Sequence, residues 1–148
     1  MGRIIIPMYF CKSRVPLVLF RLEGDEKHVG IIDTGSEISM FDFSLKDSGM
    51  SEVNDGTETS FIGVNGSGKT SKVSQVKGDV TFKTKDDEHF KVKVDGVLFD
   101  FGSLTEAFQR RTDKNISISA LFGSDFLKKY NARINYRNKT LTIDGVEE

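Results

Sequence analysis

Ile31-Ile32-Asp33-Thr34-Gly35-Ser36, IIDTGS in one-letter code, places one carboxylate on a tight loop directly after an apolar run. Val29 to Ile32 reads as a short buried strand. Asp, Thr, Gly and Ser are all turn formers, so a plain surface turn at the end of that strand is one reading. The other reading is chemical. Two carboxylates held close cannot both ionise and therefore share a proton. One can then take a proton from water while the other donates to the carbonyl oxygen of a scissile bond. Gly35 lets another backbone approach the carboxylate closely. Thr34 and Ser36 supply hydroxyls that can brace the loop.

The whole chain sets limits on both readings. Its 148 residues suit one domain with a real core, spanning 1–148. The net charge of -1 gives no electrostatic case for a nucleic-acid partner. One cysteine, Cys11, excludes an internal disulfide and fits a reducing, cytoplasmic setting. With His28 and His89 as the only histidines, no convincing zinc site can be built, and no cofactor is expected. No apolar run approaches the ~20 residues of a membrane helix, so no membrane partner is expected, and no signal peptide is read at the start. The 12 phenylalanines are the natural core fillers.

Outward from the loop, the chain reads as mostly strands. Ile4 to Phe10 and Val15 to Leu22 are rich in aliphatic and β-branched residues. Val80, Phe82 and Thr84 alternate, Asp86-Asp87-Glu88 turns, and Phe90, Val92 and Val94 alternate back. Val97 to Phe99 continues as a buried strand. Ser103-Leu104-Thr105-Glu106 fits a capping box and predicts a short helix over Leu104 to Arg110. Ile116 to Phe122 is strand-like and ends at Gly123. Gly123 or Ser124 can cap a helix over Asp125 to Tyr130, ended by Asn131. Ala132 to Tyr136 and Thr140 to Ile143 read as the last strands.

A second motif competes with the first. Gly63 to Thr70, GVNGSGKT, fits the phosphate-binding pattern G-x-x-x-x-G-K-[ST]. Nucleotide binding through Lys69 and Thr70 requires a helix of useful length beginning near Lys69. Val73, Val76 and Val80 do fall at helical spacing, but Gly78 interrupts them and Val80 already belongs to an alternating strand. Asn65-Gly66 is also a strong hairpin-tip signal. The hairpin reading is favoured on context.

Three segments together resemble the retropepsin-like aspartic proteases, the single-domain type of retroviruses, retroelements and their bacterial and eukaryotic relatives. They are Ile31 to Ser36, then Ala120-Leu121-Phe122-Gly123-Ser124-Asp125-Phe126-Leu127-Lys128-Lys129-Tyr130, then Asn131 to Ile143. The resemblance covers about residues 4 to 143. It implies an all-β, acid-protease-like closed barrel with a flap hairpin and a short C-terminal helix. The flap would span about residues 60–74, so that Ile62, Gly63, Val64, Asn65 and Gly66 cover a bound peptide. Because only one Asp-Thr-Gly loop is present, the resemblance implies a homodimer in which each copy supplies Asp33. Thr34 would bond across that dimer, and Gly123 would pack behind the loop. Glu37 and Phe122 would contact substrate, with Phe122 narrowing the pocket. The Ser36 hydroxyl is expected to donate to Asp33 and favour its ionised form, which predicts an acidic optimum. Many retroviral members place an aspartate and an arginine where this chain has Glu37 and Ser124, so that ion pair cannot form here.

The function expected is an aspartic endopeptidase acting on a peptide or protein substrate, with Asp33, Thr34, Gly35 and Ser36 at the catalytic loop. A peptide-binding module of the same fold that does not cleave is the alternative, with the nucleotide-binding reading behind it. The segment 100–119 is longer than a minimal retroviral enzyme needs; a specificity lid, a dimer element and an ordinary surface insertion are its readings, the last favoured because loop insertions cost little.

Overall fold

Alternating apolar residues on β-branched runs produce strands here almost throughout. The computed structural model describes residues 3–10, 15–24, 26–45, 48–53, 58–60, 70–72, 74–102, 105–106, 109 and 117–144. In chain order the strands are β1 (Arg3–Pro7), β2 (Tyr9–Phe10), β3 (Pro16–Arg21), β4 (His28–Ile32), β5 (Met40–Asp42), β6 (Ser51–Val53) and β7 (Glu58–Ser60). They continue as β8 (Thr70–Lys72), β9 (Gln75–Lys83), β10 (His89–Phe99), β11 (Ile118–Phe122), β12 (Arg133–Asn135) and β13 (Thr140–Asp144). An α-helix, α1 (Ser124–Lys129), comes after β11.

Six strands close into a barrel in the order β3, β4, β11, β5, β10, β9 and back to β3. The closing seam is short: only Phe20↔Phe82 and Arg21↔Thr81 join β3 to β9. β4 and β11 run parallel (Leu121↔Ile31, Phe122↔Ile32), with β5 antiparallel on the far side of β11. A smaller sheet, β1–β13–β12, lies beside the barrel. The expected strand from Ile4 to Phe10 is divided at Met8, whose N–H donates to the Lys139 carbonyl at 2.8 Å. Its first half joins β13 and its second half joins β3, so one apolar run serves two sheets.

Phenylalanine does fill the centre. Phe122 is fully buried, with ring centroids 5.0–6.0 Å from those of Phe20, Phe41, Phe82 and Phe126. Such offset and edge-on pairs contribute beyond the area they bury. A second apolar cluster holds Leu17, Ile31, Met40, Val97, Phe101 and Leu121. Neighbouring residues of β4, Ile31 and Ile32, therefore point into different clusters. A strand buried on both faces has no polar alternation, which is why Val29 to Ile32 reads as a continuous apolar run.

The segment 100–119 departs from a simple surface insertion. Phe101 is buried in the second cluster, and its N–H donates to Asp42 Oδ1 at 3.0 Å. Gly102, Thr105, Glu106 and Gln109 are helical, in line with the capping-box expectation, although Ser103 and Leu104 lie outside the described residues. Thr105 Oγ1 accepts from the Ile118 N–H at 3.1 Å, which ties this turn to the start of β11. No helix among the described residues is long and apolar enough to cross a membrane.

Candidate active site

Asp33 comes directly after the last residue of β4, at the edge of the barrel. Its N–H donates to the Phe122 carbonyl at 3.0 Å, continuing the β4–β11 pairing by one more bond. The chain then turns. The Gly35 N–H donates to Asp33 Oδ1 at 2.9 Å, and the Ser36 N–H reaches the Asp33 carbonyl at 3.3 Å. The Asp33 Oδ2 atom accepts no hydrogen bond from any described residue. Asp33 is half-buried, while Thr34, Gly35 and Glu37 are exposed. The loop thus holds one carboxylate oxygen and leaves the other without a hydrogen bond from the described residues.

The back of the loop is braced by residues far away in sequence. Ser39 is the buried polar residue here, at 0% exposure. Its hydroxyl donates to Asp125 Oδ1 at 2.7 Å and accepts from the Gly123 N–H at 3.0 Å. Its N–H donates to Asp125 Oδ2 at 3.0 Å. Asp125 therefore holds the end of the loop with both carboxylate oxygens, from the first turn of α1. The Ser124 N–H adds a bond to the Ser36 carbonyl at 2.6 Å. Charge-assisted bonds such as those to Asp125 are about twice as strong as neutral ones.

Close backbone approach makes this brace possible. Gly123 packs behind the loop, as expected. A Cβ built there would lie 2.7 Å from the Ser36 carbonyl oxygen and 2.9 Å from that of Ile38. At Gly96 in β10 a Cβ would lie 2.5 Å from the Ser39 carbonyl oxygen, and the Val97 N–H donates to the same oxygen at 3.1 Å. Two glycines from opposite sides therefore let the loop 33–39 sit against the barrel wall.

Some expected roles change. The Ser36 hydroxyl donates to the Ile38 carbonyl at 2.8 Å rather than to Asp33, so it shapes the loop and leaves the carboxylate alone. Phe122 is a core residue at 0% exposure and has no surface to offer a substrate; the apolar end of β11 points inward. Ser39 and Asp125 were not singled out by sequence reasoning as a pair. The ion pair missing at Glu37 and Ser124 was the available signal that some other brace must exist.

Ile62, Gly63, Val64, Asn65 and Gly66 lie outside the described residues, as does Lys69. The strands around them are described: β7 and β8 pair antiparallel through Glu58↔Lys72, Thr59↔Ser71 and Ser60↔Thr70. The nucleotide reading needed a helix from about Lys69. Thr70–Lys72 and Gln75–Lys83 are strands instead, because Val76, Val80 and Phe82 bury one face of β9 in the barrel. The GVNGSGKT match therefore lacks the helix N-terminus that would hold a phosphate.

No protein-family model matches the sequence, and no curated protein matches it. Solved structures do. The retroviral protease-like domain of Ddi1 from Leishmania major aligns over 88% of this chain and 87% of its own, with a TM-score of 0.52 and 10% identity. A retropepsin-like aspartic protease from Rickettsia conorii aligns over 97% of this chain and 99% of its own, with a TM-score of 0.42 and 16% identity. At these identities the likeness bears on the fold alone, and the first alignment carries it. With its closed six-stranded barrel and the short helix α1 behind the Asp33 loop, the chain has a retropepsin-like fold.

Proposed function

We propose that the protein is an aspartic endopeptidase that works as a homodimer, each copy contributing Asp33. One observation carries the reading. Asp33 follows β4 half-buried, its Oδ2 accepting no hydrogen bond from the described residues and its loop fixed from behind, on a retropepsin-like fold. In this reading Thr34 and Gly35 meet the second copy, and the hairpin 60–74 covers the substrate.

The chemistry depends on the pair. One ionised carboxylate accepts a proton from water as the water oxygen attacks the peptide carbonyl carbon. The other, protonated carboxyl donates to the carbonyl oxygen. Collapse of the tetrahedral intermediate breaks the C–N bond: the nitrogen leaves with the proton that the first carboxyl took from water, and a hydroxyl proton of the intermediate returns to the second, restoring the pair with its shared proton. Every proton is accounted for without a metal or organic group.

The test is a mixed peptide pool incubated with the protein from about pH 3.5 to 7.5, spanning the range where paired carboxyls titrate. Cleavage inhibited by a statine-type compound, and rising faster than linearly with protein concentration below the dimer dissociation constant, is the expected result. No cleavage from folded, dimeric protein would oppose it.

A further inference from the structure

The end of the β3–β4 hairpin away from Asp33 borders an open, solvent-connected cavity of about 110 Å³ that the peptidase chemistry does not use. β4 separates the two places: its first residue, His28, pairs with Phe20 beside the cavity, and its last, Ile32, precedes Asp33. At about 3.3 Å per residue, that is roughly 15 Å.

The lining is one-sided in charge. Arg21, Lys27 and Lys83 contribute to it, and no Asp or Glu does. The chain as a whole has 22 acidic and 21 basic residues, so this excess of cations is local. Lys83 is partly engaged, 3.2 Å from Asp87 across an exposed pair. Arg21 and Lys27 make no ion pair or side-chain hydrogen bond with any described residue. Arg21 is also half-buried. A partly desolvated guanidinium without a carboxylate gains most from an anion brought to it, and its fork geometry suits a carboxylate. Apart from Thr81 the remaining wall is largely apolar, including Tyr9 and Leu19, which are 49% and 37% exposed.

We propose that this cavity binds a small organic carboxylate with an aromatic or aliphatic body. Arg21 and Lys27 hold the carboxylate, and Tyr9 and Leu19 receive the apolar part. The site bridges the two-residue seam between β3 and β9, since Arg21 and Thr81 are ladder partners and both line it. It is independent of Asp33.

The experiment is an amide-resonance titration of the full ¹⁵N-labelled chain with 4-phenylbutyrate, and in parallel with uncharged 4-phenylbutanol and cationic 4-phenylbutylamine. The carboxylate is expected to shift resonances of β3 and β9 saturably, at concentrations of about 1 mM or less. The alcohol should bind roughly tenfold more weakly, and the amine not at all. The double variant Arg21→Gln, Lys27→Gln should weaken phenylbutyrate binding about tenfold while keeping a dispersed spectrum. Both side chains reach solvent, so the fold does not depend on them. Arg21→Lys, which keeps the charge without the fork, should fall between the two. The proposal is overturned by no saturable shift up to about 10 mM, far above typical site occupancy. It is equally overturned by equal binding of acid and alcohol, by shifts confined to other strands, or by a folded double variant that binds as tightly as the parent.

Discussion

The loop 33–39 and the hairpin tip 84–88 are both rich in turn-forming residues, yet they differ in how far away their holding partners lie. At the tip most bonds are local: the Thr84 N–H donates to the Glu88 carbonyl at 2.7 Å, the Asp87 N–H to the Thr84 carbonyl at 3.0 Å, and the Glu88 N–H to Thr84 Oγ1 at 3.1 Å, while the Lys85 N–H reaches the Ile5 carbonyl of β1 at 2.9 Å. Asp87 takes a positive φ of 65°, which Asp tolerates better than most residues. The Asp33 loop instead takes its shape from residues 122–125, with partners 86 positions apart in the Ser39–Asp125 bonds. A loop fixed by its own residues keeps its form wherever it is placed. A loop fixed by distant residues keeps its form only when the barrel is closed, which couples the presentation of Asp33 to the integrity of the fold.

That contrast can be broken from its strongest point. Gly123→Ala should have the largest effect, because the added methyl meets two backbone carbonyls that cannot swing aside. A loss of about 2–3 kcal/mol is expected from denaturant unfolding, with any cleavage lost alongside as the loop is pushed off β11. Ser39→Ala comes next. It removes the donor to Asp125 and strands the buried Gly123 N–H, for an expected cost of about 1–3 kcal/mol. Asp125→Asn should cost less than Asp125→Ala, since the amide oxygen still accepts one of the two Ser39 bonds. Chemical denaturation of the pair orders them.

Substitutions at the hairpin tip should be far milder. Thr84→Ala removes one exposed bond and should shift stability by about 0.5–1 kcal/mol. Lys83→Ala, which breaks the exposed pair with Asp87, should change it by less than about 0.5 kcal/mol. Equal costs at the tip and at Ser39 in parallel thermal unfolding would dissolve the distinction between locally and remotely held loops.

The same distinction explains what the sequence made legible. The β9–β10 hairpin was readable because alternation and turn chemistry are local signals. So were α1 and its end at Asn131, which adopts a φ of +48°. The Asp33 loop was found through its residue types, but its bracing was not. Ser39 sits between Ile38 and Met40 with no local mark of its role, and Asp125 reads first as a helix-dipole residue. The Ser36 hydroxyl has two acceptors within reach, and only the folded loop selects the Ile38 carbonyl. Phe122 looked like a pocket wall because strand direction alone does not say which face turns inward. The split of Ile4 to Phe10 at Met8 depends on Lys139, a partner that no local pattern reveals.

The phosphate-loop spelling illustrates the converse. A short motif matched in letters, while the next elements, β8 and β9, are strands whose registers are set by β7 and β10. Motifs for phosphate binding depend on the helix after them as much as on their own residues.

The central claim rests on one side chain. Wild-type protein and Asp33→Asn, both shown to be folded by unfolding curves of equal midpoint, should be incubated with the same peptide pool and the products read by mass spectrometry. The account predicts cleavage by the wild type and a loss of at least about a thousand-fold in the variant, as expected when the group that activates water is removed. Cleavage at comparable rates by both proteins would contradict it.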